Sequence, residues 1–242
     1  MAIADAAELR ISGKDLGALA LPMFCPRCFW VQRKLAGKLP FQIFPGIFSS
    51  IDAYTKRMVH GWFDQRDAAP DWLASLGAMS GYMDPPHFTR FQFRDPDTGV
   101  RLTGAADGIF TRAGGGYVIV DYKTAKFTKA QDALMPVYRT QLNAYALIAE
   151  RIAIAPVTGL ALVYLEPATT DADATLDDHR QATGFRMRFD AHVLEIPLEP
   201  DSIPPLLEQA RQIMSSPRAP VGRSGCENCS RVDGLVTLLT GS

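Results

Sequence analysis

Two short acidic motifs stand near the middle of the chain: Gly104-Ala105-Ala106-Asp107-Gly108 and, after a further strand-and-turn segment, Asp121-Tyr122-Lys123-Thr124. Side chains alternate along a strand, so Tyr117, Ile119, Asp121 and Lys123 share one face while Val118, Val120 and Tyr122 share the other. One face therefore begins apolar and ends with an acid beside a base. The turn at Gly114 to Gly116 folds the preceding strand back alongside, which brings Asp107 toward the same end of the sheet. Two converging carboxylates make a hard-oxygen site suited to Mg²⁺ or Mn²⁺. A neighbouring lysine can orient an attacking water or neutralise charge growing on a phosphate. The plainer reading is a surface ion pair ending a strand, with Asp107 a turn residue. The β-branched run Val118-Ile119-Val120 and the Gly-x-x-Asp upstream favour the site.

Downstream, Gln141-Leu142-Asn143-Ala144-Tyr145 puts Gln141 and Tyr145 one helical turn apart on one face, with Ile148 and Ile152 continuing the stripe. Tyr145 reads as a core aromatic, whereas Gln141, a polar residue on a buried stripe, needs a hydrogen-bond partner. The four cysteines form two pairs, Cys25-Pro26-Arg27-Cys28 and Cys226-Glu227-Asn228-Cys229. Two C-x-x-C pairs with no other cysteine in the chain suggest a four-thiolate metal site. Their separation exceeds that of a local zinc ribbon, so such a site would clasp the N-terminal region to the C-terminal tail.

Gly-x-x-Asp, a hydrophobic strand running into Asp-Tyr-Lys-Thr, and Gln-x-x-x-Tyr in this order resemble the PD-(D/E)XK nuclease superfamily. The branch they look like is that of the RecB nuclease domain and the CRISPR-associated exonucleases. The resemblance implies a restriction-endonuclease-like core and hydrolysis of DNA phosphodiester bonds. The substrate it implies is single-stranded DNA or a duplex end, in repair, recombination or foreign-DNA processing. By the same resemblance Asp107, Asp121 and the Tyr122 backbone carbonyl would hold Mg²⁺ or Mn²⁺. Lys123 would be the catalytic lysine, and Gln141 and Tyr145 would shape the site. Members often carry a helical histidine as a further ligand; His60 lies in a suitable place, and it reads equally well as an exposed helical histidine. Relatives pin their termini with a [4Fe–4S] cluster, usually on one upstream and three downstream cysteines. The two-and-two division here keeps Zn²⁺ as the competitor to the cluster, ahead of paired free thiols. A non-catalytic nucleic-acid-binding or assembly module of a helicase or recombination complex is the alternative function. A nucleotide phosphohydrolase is a second.

The elements that must position these residues are legible in outline. Ile51 to Asp64 has helical spacing; Phe88 to Phe93 and Val100 to Thr103 flank a Pro/Asp/Gly turn as a hairpin, and Tyr117 to Lys123 extends it to a three-strand meander. A long helix from about Ala130 to Ile152 is followed by the all-apolar Gly159 to Leu165, a strand buried on both faces. Thr169 to Thr183 reads as a surface loop, Phe185 to Leu198 as a strand, Ile203 to Met214 as a helix, and the rest as a Pro/Gly-rich tail. The expected fold is α/β, a mixed sheet with an antiparallel meander flanked by helices. We expect one domain over 1–242, with its core at about 85–200 and cysteine-bearing segments at 20–64 and 201–232.

The 242 residues are 47% hydrophobic, and 25 Lys and Arg balance 26 Asp and Glu to a formal net charge of −1. That composition excludes a fibrous or disordered chain and a uniformly basic nucleic-acid coat. A basic stretch including Arg27, Arg33, Lys34, Lys38, Lys56 and Arg57 is interleaved with Phe29, Trp30, Phe41, Phe44 and Phe48. Most of it reads as core aromatics and solvated charges. No apolar run reaches the ~20 residues of a membrane span and no basic leader precedes the first one, so the expectation is a cytoplasmic protein without membrane contact. Ser12-Gly13-Lys14-Asp15 lacks the upstream glycine and the hydroxyl residue of a phosphate-binding loop, so any helicase activity belongs to a partner.

Overall fold

The computed structural model describes residues 8–35, 45–127 and 133–241. Lys38, Phe41, Phe44 and the start of the long helix predicted near Ala130 lie outside these residues. In chain order the elements are β1 (Arg10–Ser12), α1 (Gly13–Gly17), α2 (Pro26–Lys34), α3 (Ile47–Arg66), β2 (Met79–Met83), β3 (Gln92–Arg94), β4 (Arg101–Thr103), β5 (Gly108–Arg112) and β6 (Tyr117–Lys123). They continue with α4 (Met135–Arg151), β7 (Val157–Pro167), α5 (Asp171–Thr175), β8 (Arg180–Gln181), β9 (Gly184–Phe185), β10 (Phe189–Ile196), α6 (Ile203–Ser215) and α7 (Glu227–Thr240).

The main sheet has the order β10-β7-β6-β5-β2. β6 and β7 run parallel, and the other neighbours are antiparallel. Parallel neighbours need a crossover, and α4 supplies it, which lays that helix over β6. This is the expected mixed α/β architecture, consistent with a restriction-endonuclease-like core.

One expectation is overturned. The hairpin of β3 and β4 does not continue into the main sheet; it pairs β4 with β1 in a small separate sheet, Ile11 opposite Leu102. The meander is made of β2, β5 and β6 instead. The Thr169 to Thr183 segment also carries structure, α5 with its Thr170 cap and β8, which pairs with β9 just beyond it; the strand expected over Phe185 to Leu198 starts only at Phe189, and the C-terminal tail forms α7.

Each face of the main sheet has its own core. Val118, Val120 and Tyr122 pack with Val59 and Phe63 of α3, together with Phe110 and Val163. Ile119, Leu160 and Leu162 pack with Leu142, Tyr145 and Ile148 of α4, Leu16 of α1 and Leu207 of α6. Each fully buried Leu or Ile contributes ~1.5–3 kcal/mol. α4 is enclosed nearly all round, and α1 lies so close to it that a Cβ on Gly17 would stand 2.6 Å from the Val137 carbonyl oxygen. Buried Asn143 satisfies itself across this packing, donating to the Pro197 carbonyl at 3.0 Å and accepting from the Glu199 N–H at 2.6 Å. That ties the chain leaving β10 to α4.

Candidate active site and four-cysteine centre

The alternation along β6 places Asp121 and Lys123 on the α4 side, at the strand's C-terminal end. Asp121 is 3% exposed. Its Oδ1 accepts from Gln141 Nε2 at 2.8 Å, and its Oδ2 is ion-paired with Lys123. Gln141 Nε2 also lies 2.7 Å from the Tyr145 hydroxyl, so the two residues one turn apart on α4 act on Asp121 as a unit. The Lys123 ammonium sits over the Tyr138 ring, 4.5 Å from its centroid.

Asp107 arrives from the segment between β4 and β5. Its Oδ2 accepts the Tyr122 backbone N–H at 2.9 Å, which places it beside the end of β6 as the turn geometry implies. The glycine three residues earlier makes this approach feasible. A Cβ on Gly104 would meet Tyr145 at 2.8 Å and Phe91 at 2.9 Å, so a side chain there would push the Asp107 segment off the α4 face.

The sequence reading missed Lys56. On α3 its Nζ lies 2.8 Å from Asp107 Oδ1 and 2.9 Å from Asp52 Oδ2. Burial works against the Lys56 charge, but Asp107 and Asp52 outweigh it and hold its pKa above the ordinary lysine value. Only tertiary contact identifies this residue, because α3 and Asp107 are far apart in sequence.

Burial dominates at Asp121 and pushes its carboxyl up to about 6; the Lys123 ammonium opposes the rise and the Asp107 charge adds to it. Burial likewise raises the Tyr145 hydroxyl, with the Asp121 charge second, so it stays protonated at neutral pH. Two buried oxygens at this point, Asp121 Oδ2 and Gln141 Oε1, accept no well-directed hydrogen bond, although Oδ2 keeps its ion pair. A buried carboxylate oxygen held only by an ion pair, near a second carboxylate on the adjacent Tyr122 N–H, fits a divalent cation such as Mg²⁺ or Mn²⁺.

His60, one turn beyond Lys56, is engaged elsewhere. Its ring stacks on Tyr82 at 4.0 Å between centroids, and its Nδ1 is 3.8 Å from Asp84 Oδ1. Among the described residues the only His, Cys, Asp or Glu group of three or more with metal-ligand spacing is the four cysteines, so His60 does not close with Asp107 and Asp121.

Cys25 and Cys226 are the N-cap residues of α2 and α7. With Cys28 and Cys229 in the first turns, all four sulfur atoms lie within 4.8 Å of one another. The terminal segments thus meet as the clasp requires. Arg27 and Asp233 reinforce the junction, with Nη1 donating to Oδ2 at 3.0 Å and the second guanidinium nitrogen on Oδ1. Burial works against ionisation of Cys25, but N–H groups of Cys28 and Arg223 and the neighbouring thiols bring it down to about 6. The Cys229 N–H lowers Cys226 in the same way, whereas burial raises Cys28 and Cys229.

The sequence model of one protein family, the PD-(D/E)XK nuclease superfamily, matches residues 45–232. Among solved structures, the crystal structure of SSO0001 is similar at 15% identity, over 89% of this chain and 81% of that chain, with a TM-score of 0.47. No curated protein matches the chain. No helix among the described residues is long and apolar enough to cross a membrane.

Proposed function

The chain belongs to the PD-(D/E)XK nuclease superfamily, and from that premise we propose that it is a divalent-cation-dependent DNA nuclease acting on single strands or duplex ends. We assign it, on the resemblance of its motifs, to the RecB and CRISPR-associated exonuclease-like branch, in repair, recombination or foreign-DNA processing. The observation that carries this reading is the buried chain Tyr145–Gln141–Asp121–Lys123 with Asp107 on the adjacent Tyr122 N–H. A surface ion pair would need no buried amide to orient its acid.

Asp107, Asp121 and the Tyr122 carbonyl would hold Mg²⁺ or Mn²⁺. When bound, the cation supplies a Lewis acid for phosphate oxygens and the attacking water. The protein groups do the rest. Gln141 fixes the Asp121 carboxylate through Nε2, and Tyr145 fixes Gln141. Lys123 presents an ammonium to charge growing on the phosphate as the phosphodiester bond breaks. Lys56 neutralises Asp107 from the α3 side.

The test is cleavage of labelled single-stranded DNA and blunt duplex by the purified protein with Mn²⁺. Degradation is expected, and Lys123→Ala should lower the rate ~10²–10³-fold while a gel-shift assay shows DNA still bound. Undiminished cleavage by Asp121→Ala would refute the site. Binding without cleavage by the unaltered chain would indicate an assembly module instead.

A further inference from the structure

The two cysteine pairs are built alike, and their sulfur positions discriminate between the metals that four thiolates can take. In each pair the first cysteine caps a helix and the second lies in its first turn: Cys25 and Cys28 on α2, Cys226 and Cys229 on α7. Two helix N-termini therefore point at one centre and favour thiolates there. The Arg223 N–H adds a further donor to Cys25 Sγ at 3.3 Å.

Across the pairs, Cys25 and Cys229 sulfurs are 3.5 Å apart, Cys28 and Cys226 3.6 Å, and Cys28 and Cys229 3.5 Å. Four sulfurs around one tetrahedral ion, each at a Zn–S bond of ~2.3 Å, stand ~3.8 Å from each other. In a four-iron cubane each thiolate is bound to its own iron, outside the cube, and the sulfurs stand ~6 Å apart. The largest separation here, under 4.8 Å, already falls short of that. Gly222 packs closely on this centre: a Cβ there would be 2.8 Å from the Cys229 sulfur.

We infer that Cys25, Cys28, Cys226 and Cys229 hold one tetrahedral Zn²⁺, and that the [4Fe–4S] cluster implied by the family resemblance does not fit this chain. The two-and-two division follows from the same geometry, because each C-x-x-C turn supplies one edge of the tetrahedron. Zinc in an all-thiolate tetrahedron has no open position, so the centre is structural. The inference concerns the clasp alone and holds whether or not Asp107 and Asp121 cleave DNA.

The full chain should be produced in cells supplied with iron and cysteine, purified without oxygen, and measured for zinc, iron and sulfide. One zinc per chain is expected, in a colourless preparation. Replacing it with Co²⁺ should give the intense visible bands of tetrahedral cobalt thiolate, and these should vanish in Cys226→Ser/Cys229→Ser. A brown protein with four irons and matching sulfide overturns the inference. So does one iron without sulfide, or a chain that retains no metal.

Discussion

At the residue scale, the candidate site is a small set of charges arranged so that each is held by a neighbour of opposite sign or by a donor. Gln141 is the residue on which Asp121 depends most directly. Replacing it with Leu removes the Nε2 donor and leaves a buried carboxylate oxygen without a partner, at a cost of ~1–3 kcal/mol. We expect Gln141→Leu to lower the melting temperature and to weaken Mn²⁺ binding by calorimetry, since among the described residues only Gln141 donates to Oδ1. Lys56 predicts the opposite sign. Its ammonium occupies Asp107 Oδ1, so it competes with any cation that Asp107 binds. Lys56→Met should therefore tighten Mn²⁺ binding several-fold; unchanged affinity would show that the two do not share that oxygen. Protons compete in the same way at Asp121, whose carboxyl is raised to about 6 by burial. A raised carboxyl binds its proton more tightly folded than unfolded. Its contribution to stability is thus full below the unfolded value and lost as pH rises through about 6. Mn²⁺ affinity should run the other way, rising between pH 5 and 7, and calorimetry at both values reads the change.

At the scale of elements, what was legible in the sequence is what local periodicity encodes. The alternation of β6 foretold which side chains share a face, and Asp121 and Lys123 lie on the α4 side as it required. The stripe of α4 and the unbroken apolar run of β7 were equally plain, because each is buried by its own period. Pairing partners were not plain. β4 joins β1 across some ninety residues of chain, and nothing in Arg101–Thr103 specifies that neighbour. β2 was missed because Met79–Met83 contains Ser80 and Gly81 and its register slips there. Lys56 was missed for the same physical reason, since its partner is set by the packing of α3. Gly104 is the point where sequence motif and element packing meet: its missing side chain lets the Asp107 segment pass between Phe91 and Tyr145. Gly104→Ala should cost ~1–3 kcal/mol by overpacking. It should also reduce cleavage more than that loss of stability explains, because Asp107 is displaced. Thermal melts beside rates at a temperature where both proteins are folded separate the two effects.

At the scale of the molecule, the carboxylate site and the cysteine centre depend on different parts of the structure. The first sits on the main sheet and α4, where two cores meet. The second joins α2 to α7, and α7 has little else to hold it: Cys229 is its one buried residue, while Leu235, Val236, Leu238 and Leu239 are exposed. The Arg27–Asp233 pair is also partly exposed and adds little on its own. A helix anchored by the zinc inferred above should detach when that ion is removed, because the binding free energy of a structural ion is the folding free energy of the segment it ties down. We therefore expect a strong thiophilic chelator to open α7 selectively. Trypsin should then cut at Arg223 and Arg231, while β5, β6, β7 and α4 remain protected and the circular dichroism of the core persists. Mass spectrometry of the fragments would locate the cuts. Cuts spread through 108–165 at the same chelator concentration would mean instead that the clasp supports the sheet itself, and that the two sites are one cooperative unit.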